Sequence, residues 1–110
     1  MAVVMFLLHL EVPLPFAYNL RIEEEYHFPG KELEIQTYSY VLLHKNEAVV
    51  IRADPSPHHP LDYRKRKLVA FPHHLHDEKG RIRSFTGRIE DFLKEVEKVL
   101  AERAQGRMRR

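Results

Sequence analysis

The sequence predicts an α+β domain: an antiparallel β-sheet of about four or five strands with a C-terminal amphipathic helix packed on one face. Three observations predict it. Residues 20–53 alternate apolar and polar side chains with a period of two. Residues 86–103 place apolar side chains at helical spacing. Proline, glycine and asparagine punctuate the stretches between. At 110 residues the chain makes one domain, 1–110, large enough to bury a modest core without a disulfide or metal staple.

The first apolar run, residues 2–10, contains Val3, Val4 and Phe6 and predicts a buried strand that Pro13 and Pro15 end. No basic residue precedes the run and no small-residue cleavage site follows it, so it does not read as a signal peptide. It is also too short to span a bilayer. Next, Leu20, Ile22, Glu24, Tyr26 and Phe28 share one parity, an apolar face interrupted by one carboxylate. Pro29-Gly30 marks a turn. A long strand follows over 32–44, with Leu33, Ile35, Thr37, Ser39, Val41 and Leu43 on one face. Tyr38, Tyr40, Leu42 and His44 lie on the other, and the two tyrosines read as sheet-surface aromatics able to stack a base. Lys45-Asn46-Glu47 turns the chain into a hairpin partner over 48–53.

Three prolines make residues 55–66 an ordered but irregular loop. Residues 67–71 read as a short strand ended by Pro72, and Asp77–Gly80 as a turn. The helix falls within 84–105, capped by Ser84 or Thr86 and terminated by Gly106. Its stripe is Ile89, Phe92, Leu93, Val96, Val99 and Leu100, which packs on the sheet or, alternatively, against a second copy in a homodimer. Residues 106–110 form a basic tail.

Composition narrows the chemistry. The chain has no cysteine, which excludes disulfides and thiolate metal sites and is compatible with a reducing cytoplasm without fixing the compartment, while the short first apolar run predicts no membrane association. Net charge is +2, unevenly spread. Residues 1–51 carry three basic and seven acidic side chains, and residues 52–88 carry nine and four. The positive field therefore centres on the segment that also holds His58, His59, His73, His74 and His76, five of the eight histidines. His9, His27 and His44 lie outside it and read as structural.

There is no Gly-rich phosphate loop, His-Glu-x-x-His or Gly-x-Ser-x-Gly motif, so any chemistry must come from His, Arg, Asp and Tyr. Arg52 and Asp54 share a strand face, which suits a guanidinium oriented by a carboxylate and aimed at an anion, or a plain surface ion pair. His74 and His76 share a face if their segment is extended, with His73 opposite. Two mechanisms fit. RNA can be cleaved by its own 2′-hydroxyl, with two of His58, His59, His74 and His76 as acid and base and Arg52 on the phosphate. Alternatively His74 and His76, joined by His58 or His59 and by Asp54, ligate a divalent metal such as zinc in a hydrolase. Arg64, Lys65, Arg66 and Lys67 form a candidate nucleic-acid-binding run, which taken alone reads as a solvated, charge-mixed surface, while the basic loop as a whole also suits a non-enzymatic nucleic-acid- or protein-binding module.

The pattern Tyr38-x-Tyr40, Arg52-x-Asp54-x-x-Pro57-His58-His59 and Phe71-Pro72-His73-His74-x-His76, followed by an amphipathic helix, resembles the TumE-type toxins of prokaryotic toxin–antitoxin modules. The resemblance covers roughly the last two-thirds of the chain. Ala53 stands where family members tend to have an aromatic residue, Pro55 where they have Asn, and Leu75 where a basic residue is frequent. The resemblance implies a growth-inhibiting toxin whose partner is a helix-turn-helix antitoxin encoded next to it. The ribonuclease chemistry, with RNA as substrate, comes from the residues themselves.

Overall fold

The alternating stretches become strands of one sheet. The structure is a computed structural model that describes residues 5–28, 33–45 and 47–108. The strands are β1 (Met5–Leu14), β2 (Tyr18–His27), β3 (Glu34–His44), β4 (Ala48–Asp54), β5 (His74–His76) and β6 (Ile82–Ser84). They pair in chain order, each antiparallel to the next, and helix α1 (Ile89–Met108) packs on one face. The α+β architecture is as expected, with six strands among the described residues rather than four or five. Residues 67–71 are turns instead of a strand, touched only by an isolated bridge between Leu61 and Lys67. Their place in the sheet is taken by β5 and β6, each three residues long and too short to show a period.

Side-chain parity decides what each strand contributes. On β2, Leu20 and Ile22 face inward; opposite them on β3 stand Leu42 and Tyr40. Tyr40 pairs in turn with Ala53 of β4, and Ala53 with Leu75 of β5. All of these are buried, together with Phe85 and the helix residues Phe92, Val96 and Val99. The two faces of β3 divide as the alternation predicts, but the covered one is the tyrosine face. Tyr38 and Tyr40 are core residues, whereas Leu33 and Ile35 are exposed. A bulge in the pairing between Leu42 and Leu43 leaves Val50 as the extra residue of β4, and Val50 is buried as well.

The carboxylate that interrupts β2 also has its explanation. Glu24 is buried and accepts hydrogen bonds from the Tyr40 hydroxyl at 2.6 Å and the Tyr26 hydroxyl at 2.8 Å. Burial first, and the carboxylate second, push the Tyr40 hydroxyl far above its ordinary pKa, so it stays a donor. Tyr40→Phe is expected to cost about 1–3 kcal/mol, because it leaves a buried carboxylate oxygen short of a donor. Tyr26→Phe, at a less buried site, is expected to cost less. Urea midpoints of the two variants check this, and equal small losses would remove the Tyr40–Glu24 bond from the list of stabilising contacts.

Several expectations are corrected. β1 is a strand, but its described residues are exposed from Met5 to Pro13, because it lies at the edge of the sheet. Pro13 sits inside it, paired with Asn19, a position an edge strand tolerates. The chain instead reverses at Pro15–Ala17, where Phe16 and Ala17 have φ of 63° and 67°. The helix runs through Gly106 to Met108, and Leu93 of the predicted stripe is exposed. Its first turn is closed by the Phe92 amide donating to the Arg88 carbonyl, so Thr86 lies ahead of the cap. Thr86 accepts from the Arg88 amide and donates to Asp91, while Ser84 belongs to β6. The Pro29-Gly30 turn, residues 2–4, Asn46 and Arg109–Arg110 lie outside the described residues. Among the described residues no helix is long and apolar enough to cross a membrane.

Candidate histidine site

The same parity that sends Ala53 and Leu75 into the core sends their neighbours to the other face. Arg52 pairs with His76 across the β4–β5 ladder, and Asp54 pairs with His74. These four side chains therefore stand on the face away from α1. His73, just before β5, turns the opposite way: its Nδ1 lies 2.8 Å from the Tyr38 hydroxyl and its ring stacks on Tyr38. Gly87, at φ +85°, makes room for that ring, since a Cβ there would sit 2.7 Å from the imidazole.

The Pro-rich segment 55–72 covers the site. Asp54 Oδ1 accepts the Ser56 amide at 2.9 Å and starts the loop. The Tyr63 amide donates to the Ile82 carbonyl, and the Val69 amide to the Ser84 hydroxyl, which pin the loop to β6. Leu68 is buried beneath it. This loop brings His59 over the two sheet histidines, with ring centroids 5.1 Å from His74 and 5.4 Å from His76. His58, its neighbour, is exposed and lies outside the cluster. The third imidazole is therefore His59. In a segment without a repeating conformation, no parity rule could have separated the two.

The cluster is tight. Ligating atoms of His59, His74 and His76 all lie within 4.8 Å of one another. His74 is 1% exposed, and its Nδ1 donates to the Pro72 carbonyl at 3.0 Å. That bond fixes the ring and leaves Nε2 of the neutral form carrying its lone pair. Nε2 lies 3.1 Å from His76 Nε2 and 3.6 Å from Asp54 Oδ1. Burial, then the nearby Arg52 charge, pull His76 down to about 4, so it is neutral at physiological pH. Burial likewise lowers His73.

Arg52 is exposed, and among the described residues it makes no hydrogen bond or ion pair. The surface ion pair with Asp54 is thus not formed: Asp54 is occupied by Ser56 and faces His74, and the guanidinium is left open.

The basic run is a shaped turn. Asp62 Oδ1 accepts the amides of Arg64 and Arg66, and its Oδ2 accepts Arg66 Nε at 3.0 Å. Tyr63 is stacked by the guanidiniums of Arg64 and Arg81, at 5.3 and 4.6 Å from its centroid. Two of the four cations therefore have structural work, while Lys65 and Lys67 are exposed. The β5–β6 turn repeats the device: Asp77 accepts the Lys79 and Arg81 amides and the Arg81 guanidinium. The repeat was available in the sequence as Asp62-x-x-x-Arg66 and Asp77-x-x-x-Arg81. Asp62, Tyr63 and the Pro72 carbonyl are the supporting groups that sequence reasoning missed.

The Arg66 amide, followed by the Arg64 amide and the Arg66 guanidinium, holds the Asp62 carboxyl below its ordinary range against the opposing effect of burial. A depressed carboxyl stabilises the turn above its unfolded pKa, and that contribution is lost as pH falls through the lowered value. The Arg64 and Arg66 amide resonances are therefore expected to hold steady at neutral pH and to move only below about pH 4. An NMR titration that moves them between pH 5 and 7 would contradict this.

His9 lies 3.6 Å from Glu11 and 3.5 Å from Glu23, His27 lies 3.7 Å from Glu34, and His44 stacks on Tyr18. None approaches the cluster. The chain matches no protein-family model, no curated protein and no solved structure.

Proposed function

We propose that this protein is a toxin of a toxin–antitoxin pair and that it cleaves RNA at the His59–His74–His76 cluster. One observation carries the reading: an exposed guanidinium with no hydrogen-bond or ion-pair partner among the described residues stands across the ladder from His76, one of three converging imidazoles. An open Arg beside proton-accepting nitrogens suits a phosphodiester, which needs a cation for its oxygens and a base for the nucleophile. In RNA the 2′-hydroxyl attacks phosphorus, the bond to the 5′ oxygen breaks, and a 2′,3′-cyclic phosphate remains. The cluster takes the 2′-hydroxyl proton and returns a proton to the leaving 5′ oxygen, and Arg52 stabilises the phosphorane. The net positive charge of segment 52–88 draws the polyanion to this face.

The test is incubation of untagged protein with a long RNA and with DNA of the same sequence, with Arg52→Ala in parallel. RNA cut to cyclic-phosphate ends, DNA left whole and an inactive variant are expected. Induction of the gene is expected to arrest growth, with rescue by its neighbour. Intact RNA in the presence of folded protein would overturn the reading, as would equal cutting by the variant. The exposed Lys65 and Lys67 favour a second reading, RNA binding without turnover, which intact RNA with salt-sensitive association would select.

A further inference from the structure

We propose that His59, His74 and His76 form a binding site for one divalent transition-metal cation, zinc by donor chemistry, with Asp54 beside it. This rests on the reading above for the site alone: an imidazole that ligates the cation would no longer accept the 2′-hydroxyl proton itself, and the cation would supply an activated water in its stead, while cation binding does not depend on RNA cleavage.

Four observations carry it. The ligand atoms of the three histidines converge within 4.8 Å. The two sheet histidines bring Nε2 atoms to 3.1 Å, close to the roughly 3.3 Å between neighbouring nitrogens of a tetrahedral zinc with bonds near 2.05 Å. The rings are mutually tilted, at 64°, 68° and 81°, rather than stacked face to face. Finally, the Pro72 carbonyl takes the Nδ1 proton of His74, the outer contact by which metal-binding histidines are oriented. The donor set has no sulfur and three imidazoles next to a carboxylate, which suits zinc better than calcium or magnesium. Without a cation, the same 3.1 Å contact is an imidazole–imidazole hydrogen bond, and that is the rival outcome. The sheet supplies two ligands through the parity of β5, and the pinned loop supplies the third. A cation held there gives a phosphate a second positive partner beside Arg52.

The experiment uses the untagged full chain, stripped with chelator and titrated with zinc against a chromophoric competitor, with bound metal counted by elemental analysis. One zinc per chain is expected. His59→Ala is expected to weaken binding by at least the roughly 10–100-fold that follows loss of a supporting partner. His58→Ala, in the same loop, is expected to leave it unchanged. Zinc that fails to bind, or equal losses in the two variants, would overturn the proposal. Should His59→Ala not fold, imidazole nitrogen shifts of the wild-type protein decide: zinc must move His59, His74 and His76 and spare His9, His27, His44 and His58. RNA cleavage is scored separately on stripped and zinc-loaded protein. Zinc bound without cleavage leaves the site and removes the ribonuclease; cleavage without zinc binding does the reverse.

Discussion

Arg52→Ala is expected to lower RNA cleavage by about 10²–10³-fold, the loss that follows removal of one preorganised charge-stabilising group. The variant is a clean probe because the side chain holds nothing together. Arg52 is exposed and makes no hydrogen bond or ion pair among the described residues, so stability should change by no more than about 0.5 kcal/mol. Its backbone still pairs with His76, which leaves the ladder under the histidines intact. Arg52→Lys keeps the charge but loses the planar fork, and is expected to recover only part of the rate. Single-turnover cleavage rates and urea midpoints on the same samples check both halves. A variant that loses rate and stability together would mean that Arg52 is a structural residue.

The largest effect on stability is expected from Phe92→Ala, about 3–5 kcal/mol, the usual cost of emptying a buried phenylalanine site. Phe92 is 0% exposed, with its ring 5.6 Å from Tyr40 and 6.4 Å from Phe85. It is the helix residue that locks α1 onto the covered face of the sheet. Domains of this size have about 5–15 kcal/mol in all, so the loss is a large share of the total. Leu93→Ala, one position along and 42% exposed, is expected to stay within about 0.5 kcal/mol. The urea midpoints of the pair measure the orientation of the helix, and similar costs would mean that α1 does not pack by the Phe92 face.

His74 and His76 show how far local pattern reaches. A three-residue extended segment points alternate side chains to opposite faces, so their pairing, with His73 turned away, was legible once the segment was taken as a strand. The choice between His58 and His59 was not. Both sit among prolines in a loop whose path is set by contacts to β6, made by Tyr63 and Val69, far along the chain. Asp62 was passed over because its partners are the amides of its own turn, a bonding pattern that composition does not reveal.

The sequence by itself determined the periods: two-residue alternation for β2–β4, helical spacing for α1, and a concentration of positive charge and imidazole between Arg52 and Arg88. These follow from backbone geometry, which acts on neighbouring residues and is the same in any fold. Only the tertiary structure decided which face each period buries. Tyr40 lies under the helix and Leu33 in solvent, although both alternate on β3 or its margin, and the apolar β1 is exposed because it forms the edge. Burial depends on what a distant segment covers, and coverage is a property of the whole packed chain.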